Sequence, residues 1–187
     1  CTNTASLTVN VQNPLVVSSS QANVLCYGAA TGSATVSIST GTTPYTYSWS
    51  MGGTNATASN LSTGIYTCTV TDATVCTNTK TVTITEPQAL TAAISATNVT
   101  CKGGFDGSAC VAASGGISPY VYMWVTGDTR QCPNPMSVGL YTVYVTDAVG
   151  CTTIATGTIT EPPHTCVWPG DANNDLVANN LDLLQLG

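Results

Sequence analysis

The chain has 187 residues and a formal net charge of −6, and only 6% of its residues are charged, against roughly 25% in an ordinary soluble domain. Its polar residues are mostly hydroxyl-bearing, with 34 threonines and 16 serines. The three cationic side chains, Lys80, Lys102 and Arg130, are too few and too scattered to bind a nucleic acid backbone. No stretch of 18 consecutive apolar residues predicts a membrane span.

Taken in chain order, the sequence contains the same block twice, at residues 26–87 and 101–162, with an offset of 75 residues and no gap. A fixed period of this length indicates a tandem array of similar modules. Cys1 lies 75 residues before Cys76, so the start of the chain corresponds to the end of a repeat. We therefore expect the chain to be a window of a longer array. The predicted parts are the last strand of a preceding repeat at 1–14, repeats at 15–87 and 88–162, and a tail at 163–187.

Each repeat alternates apolar and polar residues over short runs that are separated by Gly, Pro, Asn and Ser. In the run SATVSI, for example, Ala34, Val36 and Ile38 share one face, as expected for a half-buried strand. The pattern predicts seven short strands in each repeat. We expect an all-β chain made of tandem immunoglobulin-like β-sandwiches.

Two aromatic positions support the immunoglobulin-like prediction. Trp49 and its counterpart Trp124 lie where such a sandwich places a core tryptophan on its third strand. Tyr66 and Tyr141 follow a Leu/Met-x-x-Gly-x pattern that is typical of a tyrosine corner, in which the phenol bonds to backbone between the two sheets. Asp72 and Asp147 recur before the last strand, where an aspartate favours turn geometry.

The ordered blocks C-x-G, GSATV, PY-x-Y-x-W, L-x-x-G-x-Y-x-V-x-VTDA and TVTITEP resemble the SprB-type repeat. The resemblance covers residues 1–162. It implies a secreted, non-enzymatic protein of the kind found in large surface adhesins of Bacteroidota, with repeats arrayed end to end. Extra cysteines at 68, 110 and 132 depart from that pattern.

The nine cysteines indicate an oxidising compartment. Two pairs have the same spacing of 50 residues and are predicted as disulfides within the repeats: Cys26 with Cys76, and Cys101 with Cys151. Cys110 and Cys132 replace Thr35 and Thr57 of the first repeat, on neighbouring parts of one sheet, and are predicted as an added bridge. Cys68 faces the core as a small apolar side chain, and Cys1 and Cys166 lack an evident partner within the chain.

The tail contains the run DANNDLVANNLD, which offers oxygen ligands at the spacing of an EF-hand-like calcium loop. The predicted Ca²⁺ ligands are Asp171, Asn173, Asp175, Val177 (through its carbonyl), Asn179 and Asp182. The run and the LDLLQLG that follows resemble the first half of a dockerin-type module. Leu176 replaces the usual glycine, and a plain Asn/Asp-rich turn is the alternative.

Asn55, Asn60 and Asn98 each begin an Asn-x-Ser/Thr acceptor pattern, so they are candidate sites of N-glycosylation. The single histidine and the lack of a catalytic motif predict that the chain is not an enzyme. We expect an extracellular structural or adhesive protein of the cell surface, which forms a stalk or a self-assembling fibre. Its partners would be neighbouring copies of itself or adjacent repeats. The alternative is a carbohydrate-binding module that uses Trp168.

Overall fold

The computed structural model describes residues 14–163. The chain divides between Ala89 and Leu90 into two compact units, of which residues 14–89 (unit 1) and 90–163 (unit 2) are described. All but the last residue of the strand predicted at 1–14, and all but the first residue of the tail predicted at 163–187, lie outside the described residues. The boundaries predicted for the repeats stay predictions.

Unit 1 has six strands in its described part, and they form two antiparallel three-stranded sheets. One sheet has the order β1-β2-β4 and the other has the order β3-β5-β6. The strands are β1 Val16–Ala22, β2 Gly32–Thr40, β3 Thr46–Trp49, β4 Thr57–Leu61, β5 Gly64–Thr71 and β6 Thr77–Ile84.

Unit 2 repeats this arrangement with five strands in its described part. β7 pairs with β8, and the second sheet has the order β11-β10-β9. The strands are β7 Thr91–Thr97, β8 Ser108–Ser114, β9 Val121–Trp124, β10 Gly139–Thr146 and β11 Thr152–Ile159. In each unit the third strand in sequence joins the last two, which is how an immunoglobulin-like sandwich divides its strands.

The prediction of seven strands in each repeat is wrong for the described residues. The Gly- and Asn-rich stretch after β3 yields the single short strand β4, and its counterpart in unit 2 yields one bridge between Gly107 and Met136. Pro133 and Pro135 occupy that counterpart, and proline has no N–H to donate to a ladder. The segment still lies alongside β8, because Val111 N–H donates to Gln131 O at 3.1 Å.

Inward-facing side chains from both sheets fill the core of each unit. In unit 1 the core centres on Trp49, Leu61, Val70 and Ile84, and in unit 2 it centres on Trp124 and its neighbours. The indole N–H of Trp49 donates to Asn55 O at 2.9 Å, and that of Trp124 donates to Arg130 O at 2.8 Å. Both tryptophans are therefore buried with their one polar atom satisfied.

The tyrosine corner predicted from the sequence is present in both units. Tyr66 Oη donates to Ser62 O at 3.1 Å, and Tyr141 Oη donates to Ser137 O at 2.9 Å. These bonds fix the chain where it crosses from one sheet to the other. Both units are immunoglobulin-like β-sandwiches.

The glutamate of the TEP block has an equivalent structural role. Glu86 Oε2 accepts a hydrogen bond from Gly28 N–H at 2.7 Å, and Glu161 Oε2 accepts one from Gly103 N–H at 2.8 Å. Each glycine has a φ of 72°, in the left-handed region that suits glycine. The two motifs at opposite ends of a repeat, C-x-G and TEP, are thus held together in space.

Candidate functional site

The residues predicted to bind calcium, Asp171 to Asp182, lie outside the described residues, as does Trp168. Within residues 14–163 the structure contains no group of three or more His, Cys, Asp or Glu side chains that would hold a metal ion. Within the same range there is no helix with the length and hydropathy needed to cross a bilayer.

A disulfide joins Cys110 and Cys132, with Cα atoms 4.2 Å apart, as the replacement of two threonines predicted. It ties β8 to the proline-containing segment that lies beside it. The corresponding residues of unit 1, Thr35 and Thr57, are directly opposite each other in the sheet, with their hydroxyl oxygens 3.0 Å apart. A hydroxyl contact in one unit is thus a covalent bond in the other.

Three of the other predicted disulfide cysteines, Cys26, Cys101 and Cys151, each form a disulfide. The pairing of Cys26 with Cys76 and of Cys101 with Cys151 stays a prediction. Cys68 is fully buried as a free thiol, as expected from its inward-facing position, and burial raises its pKa. This thiol is therefore a structural rather than a reactive group.

All three asparagines of the predicted glycosylation patterns, Asn55, Asn60 and Asn98, are exposed. Asn98 also has a structural contact, since its Oδ1 accepts a hydrogen bond from Thr160 N–H at 2.9 Å. Glycosylation of these residues stays a prediction.

The repeated aspartate of unit 1, Asp72, is buried in the turn between β5 and β6. Its Oδ1 accepts hydrogen bonds from the Thr74 hydroxyl at 2.7 Å and from the N–H groups of Thr74 and Cys76, and its Oδ2 accepts one from Thr42 N–H. The Thr74 hydroxyl is the main reason why the pKa of Asp72 lies below its usual value, and the backbone donors add to it while burial opposes it. This carboxylate is a turn element, as the sequence predicted.

Asp147 occupies the same place in unit 2. Its Oδ1 accepts from the N–H groups of Val149 and Cys151, and its Oδ2 accepts from Ile117 N–H at 2.9 Å. Burial is the largest single influence and raises its pKa, but the backbone donors at Ile117, Cys151, Val149 and Gly150 together outweigh it, so the pKa is lowered. Both repeated carboxylates are thus buried and hydrogen-bonded within a turn.

Unit 2 has a cleft of about 480 Å³ on its described surface, which we call the unit 2 cleft. It opens between the turn before β8, the loop after β9, the disulfide-tied segment and the start of β10. Its walls include Phe105, Asp128, Arg130, Pro133, Pro135 and Tyr141. Phe105 is 63% exposed, so its ring is presented to solvent.

Asp128 and Arg130 form an ion pair at the edge of this cleft. Arg130 Nη2 lies 2.6 Å from Asp128 Oδ2, and Nε contacts both carboxylate oxygens. Hydrogen bonding from Arg130 lowers the pKa of Asp128, and the same bond raises the pKa of Arg130. Arg130 Nη1 donates only a long bond of 3.4 Å to Asn134 O. The cleft therefore offers apolar rings together with a fixed carboxylate and a guanidinium that retains hydrogen-bonding capacity.

Sequence reasoning did not identify the unit 2 cleft. Its counterparts in unit 1 are Ala30, Gly53, Asn55, Ala58 and Asn60. At these five equivalent positions the two repeats carry different residues, and an alignment of the repeats shows those differences. The fold was needed to show that residues 105, 128 to 135 and 141 meet.

Comparison with known proteins supports the repeat assignment. The family model described as SprB repeat matches the chain twice, at residues 18–54 and 93–129. The two matches start 75 residues apart, which is the period of the sequence. No curated protein matches the chain.

Several solved structures resemble the chain. They include the N-terminal four Ig domains of Dscam1 isoform 4.44 (14% identity, 63% of this chain and 38% of that chain, TM-score 0.34). Dscam1 isoform 8.4 is 12% identical over 85% of this chain and 46% of that chain, with a TM-score of 0.34. The amphioxus IgVJ-C2 molecule is 13% identical over 81% of this chain and 98% of that chain, with a TM-score of 0.32. The chain spans less than half the length of the two Dscam1 structures, and similarity at this level leads to no functional conclusion.

Proposed function

We propose that the protein is an extracellular structural or adhesive repeat protein of the cell surface, in which the sandwiches form part of a stalk or fibre. Two matches to the SprB repeat at the period of the sequence support a tandem array. The disulfide at Cys110–Cys132 and the disulfide-bonded Cys26, Cys101 and Cys151 support an oxidising compartment.

One observation carries the proposal: the motif residues that both repeats share are structural. Trp49, Tyr66, Asp72 and Glu86 each bond to backbone within the unit, and their counterparts in unit 2 do the same. The repeated residues thus build a scaffold, and function resides in the surfaces that the scaffold presents and in how copies are joined.

The finer parts of the proposal concern assembly. The chain would form ordered fibres with copies of itself, the tail residues Asp171, Asn173, Asp175, Val177, Asn179 and Asp182 would bind Ca²⁺ and stiffen the joint, and glycans would cover part of the hydroxyl-rich surface. Oxygen-rich loops of this spacing suit Ca²⁺.

Negative-stain electron microscopy of native material, with and without a calcium chelator, tests this function. We expect slender rods or ordered filaments that fray when calcium is removed. An Asp171→Ala, Asp175→Ala variant is the matched control and should look the same under both conditions. Isolated rods that ignore the chelator would restrict the protein to a stalk segment, and compact globular particles of uniform size would contradict the proposal.

The unit 2 cleft supports a second candidate function, carbohydrate binding. Phe105 presents an exposed ring on which a sugar ring would stack, and the Asp128–Arg130 pair would hydrogen-bond to sugar hydroxyls. The disulfide at Cys110–Cys132 and two prolines hold the neighbouring wall, so little order would be lost on binding.

Glycan-array binding of the intact protein tests this candidate. Phe105→Ala should abolish binding, while Tyr27→Ala removes an equally exposed aromatic ring from unit 1 and should leave it unchanged. Loss of binding in Trp168→Ala alone would assign recognition to the tail. A wild-type chain that binds no glycan would exclude both arrangements.

A further inference from the structure

Large apolar side chains cover the outer surface of one sheet in unit 2. The sheet β11-β10-β9 presents its inner surface to the core, and its outer surface carries Val121, Met123, Val125, Leu140, Tyr144 and Ile154. We call these six residues the apolar face. Their exposed fractions run from 46% for Tyr144 to 72% for Leu140. None of them contributes to the core.

Strand register places these residues next to one another. Tyr144 on the central strand is directly opposite Met123 on one side and Ile154 on the other, so the three form a continuous row across the sheet. Val121 lies two residues before Met123 on the edge strand β9, and Val125 follows directly after the end of β9, where its N–H donates to Thr142 O at 3.0 Å. Leu140 lies further along β10. The other outward residues of these strands, Thr142, Thr146, Thr152, Thr156 and Thr158, carry no charge.

Unit 1 has the same sheet with a different surface. The counterparts of the Met123, Tyr144 and Ile154 row are Ser48, Thr69 and Thr79, which are directly opposite one another in the same register. Thr46 and Ser50 replace the two flanking valines, and only Ile65 is apolar, at the position of Leu140. The same fold thus has a hydroxyl-bearing face in unit 1 and an apolar face in unit 2. The sandwich itself therefore does not require the apolar residues.

We propose that the apolar face of unit 2 is a self-association surface, which pairs with the same face of a second copy of this chain. Six large side chains that are about half exposed or more present on the order of 500 Å² of apolar surface, comparable to the largest patches on soluble monomers. Two such faces packed together would remove on the order of 1,000 Å² from water, which is the size at which specific interfaces begin.

Charge and symmetry favour a second copy over a different protein. The outward positions of all three strands lack a charged side chain, so two copies of the face meet without repulsion between like charges. The same apolar row on a second copy can also pack against it when that copy is rotated by a half turn, which is the geometry of a twofold dimer. A partner recognised by charge would find nothing to pair with on this surface.

This inference rests on the proposed self-association and names the surface through which it occurs, but it does not depend on calcium or on the tail. A chain that does not pair through this face could still be a stalk segment. The microscopy above and the experiment below can therefore fail separately.

Sedimentation velocity of the intact chain across a concentration series tests the proposal. We expect a reversible monomer–dimer equilibrium, and a Met123→Ser, Tyr144→Thr, Ile154→Thr variant should weaken it by about a hundredfold or more. These substitutions install the residues that unit 1 carries at the same positions, so the sheet should tolerate them, and circular dichroism checks that it does. Ile65→Ser removes from unit 1 an apolar residue that is more exposed than any of these three, and it should leave the dimer unchanged.

Three results would overturn the proposal. The first is a wild-type chain that stays monomeric at about 100 µM, where a micromolar interface would be largely occupied. The second is a failure of the variants to distinguish the two units: either the triple variant associates as strongly as the wild type, or Ile65→Ser weakens the dimer as much as the triple variant does. The third is a dimer that persists in a non-reducing denaturing gel, because it would be joined by cysteines rather than by this face.

Discussion

The two units have the same fold but differ at many residues. Comparing them separates the residues that hold the sandwich together from the residues that form its surface. Their shared residues hold the sandwich together. At the positions of Thr35 and Thr57 in unit 1, unit 2 has two cysteines that form a disulfide. The disulfide adjoins the unit 2 cleft, where prolines have replaced strand residues. Unit 2 therefore has a covalently tied, proline-containing segment where unit 1 has a hydrogen-bonded strand.

A second exchange occurs inside the core. Val82 is buried in unit 1 and its counterpart is Gly157, where an added Cβ would lie 2.6 Å from Ile94 Cγ2. Ile94 itself replaces Ser19 of unit 1. The volume removed at one position is thus supplied from the facing strand, which keeps the interior filled.

The largest expected effect comes from the disulfide. A Cys110→Ser, Cys132→Ser variant should lose roughly 3 kcal/mol of unfolding free energy in unit 2, because the bond closes a loop of 22 residues. Unit 1 should be unaffected, and calorimetry of the intact chain would show one of two transitions moving down. The reciprocal control, Thr35→Cys with Thr57→Cys, should raise the other transition. Equal shifts in both units would contradict the separation of the two units.

The core exchange predicts a smaller effect that can be rescued. Gly157→Val alone should destabilise unit 2 by about 1–3 kcal/mol, because the new side chain would overlap Ile94. Combined with Ile94→Ser, which restores the unit 1 pair, most of this loss should disappear. Denaturant unfolding of the two single variants and the double variant gives the coupling energy. Additive losses would mean that the two positions do not compensate each other.

The turn before β6 in unit 1 should become more stable when it is given the residue that unit 2 carries at the same position. Val75 has a φ of 66° before β6, where unit 2 has Gly150. A β-branched residue in this region is strained, so Val75→Gly should stabilise unit 1 by about 1 kcal/mol. Gly150→Val should destabilise unit 2 by a similar amount. Thermal unfolding would measure both, and a loss of stability in Val75→Gly would show that the turn is not strained.

The smallest expected effect is on how the stability of each unit depends on acidic pH. Both Asp72 and Asp147 have lowered pKa values, so the stability that they contribute is present above the unfolded value of about 4 and is lost as the pH falls through the folded value. Only Asp72 accepts a side-chain hydroxyl, from Thr74, and its pKa should rise in Thr74→Val. Val149→Thr should lower that of Asp147. NMR titration of the two carboxyl carbons measures both shifts, and unchanged values would contradict the role of the hydroxyl.

The sequence predicted the interior better than the surface. Period, alternation and the Trp and Tyr positions were enough for the sandwich, the tyrosine corner and the aspartate turns, because each depends on contacts within one repeat. The Cys110–Cys132 bridge was predicted because the repeats align without a gap, so Thr35 and Thr57 marked neighbouring strands. The strand count was overestimated, since the Gly- and Asn-rich stretch after β3 forms only one short strand in unit 1, and two prolines reduce its counterpart in unit 2 to one bridge.

The unit 2 cleft and the apolar face could not be predicted in the same way. Met123, Tyr144 and Ile154 are far apart in sequence, and alternation alone does not show which strands are neighbours in a sheet. Tyr144 and Met123 read from the sequence as ordinary strand residues. Only the register of β9, β10 and β11 places them in one exposed row.

Hydroxyl-radical footprinting of the intact chain at increasing protein concentration tests most directly whether the units share an interior but differ in what their surfaces bind. Trp49 and Trp124 should be protected at every concentration, because both are buried. Met123 and Tyr144 should be reactive in dilute solution and become protected as the concentration rises, while Tyr27 and Ile65 of unit 1 stay reactive. Reactivity of Met123 and Tyr144 that does not change with concentration would contradict the account.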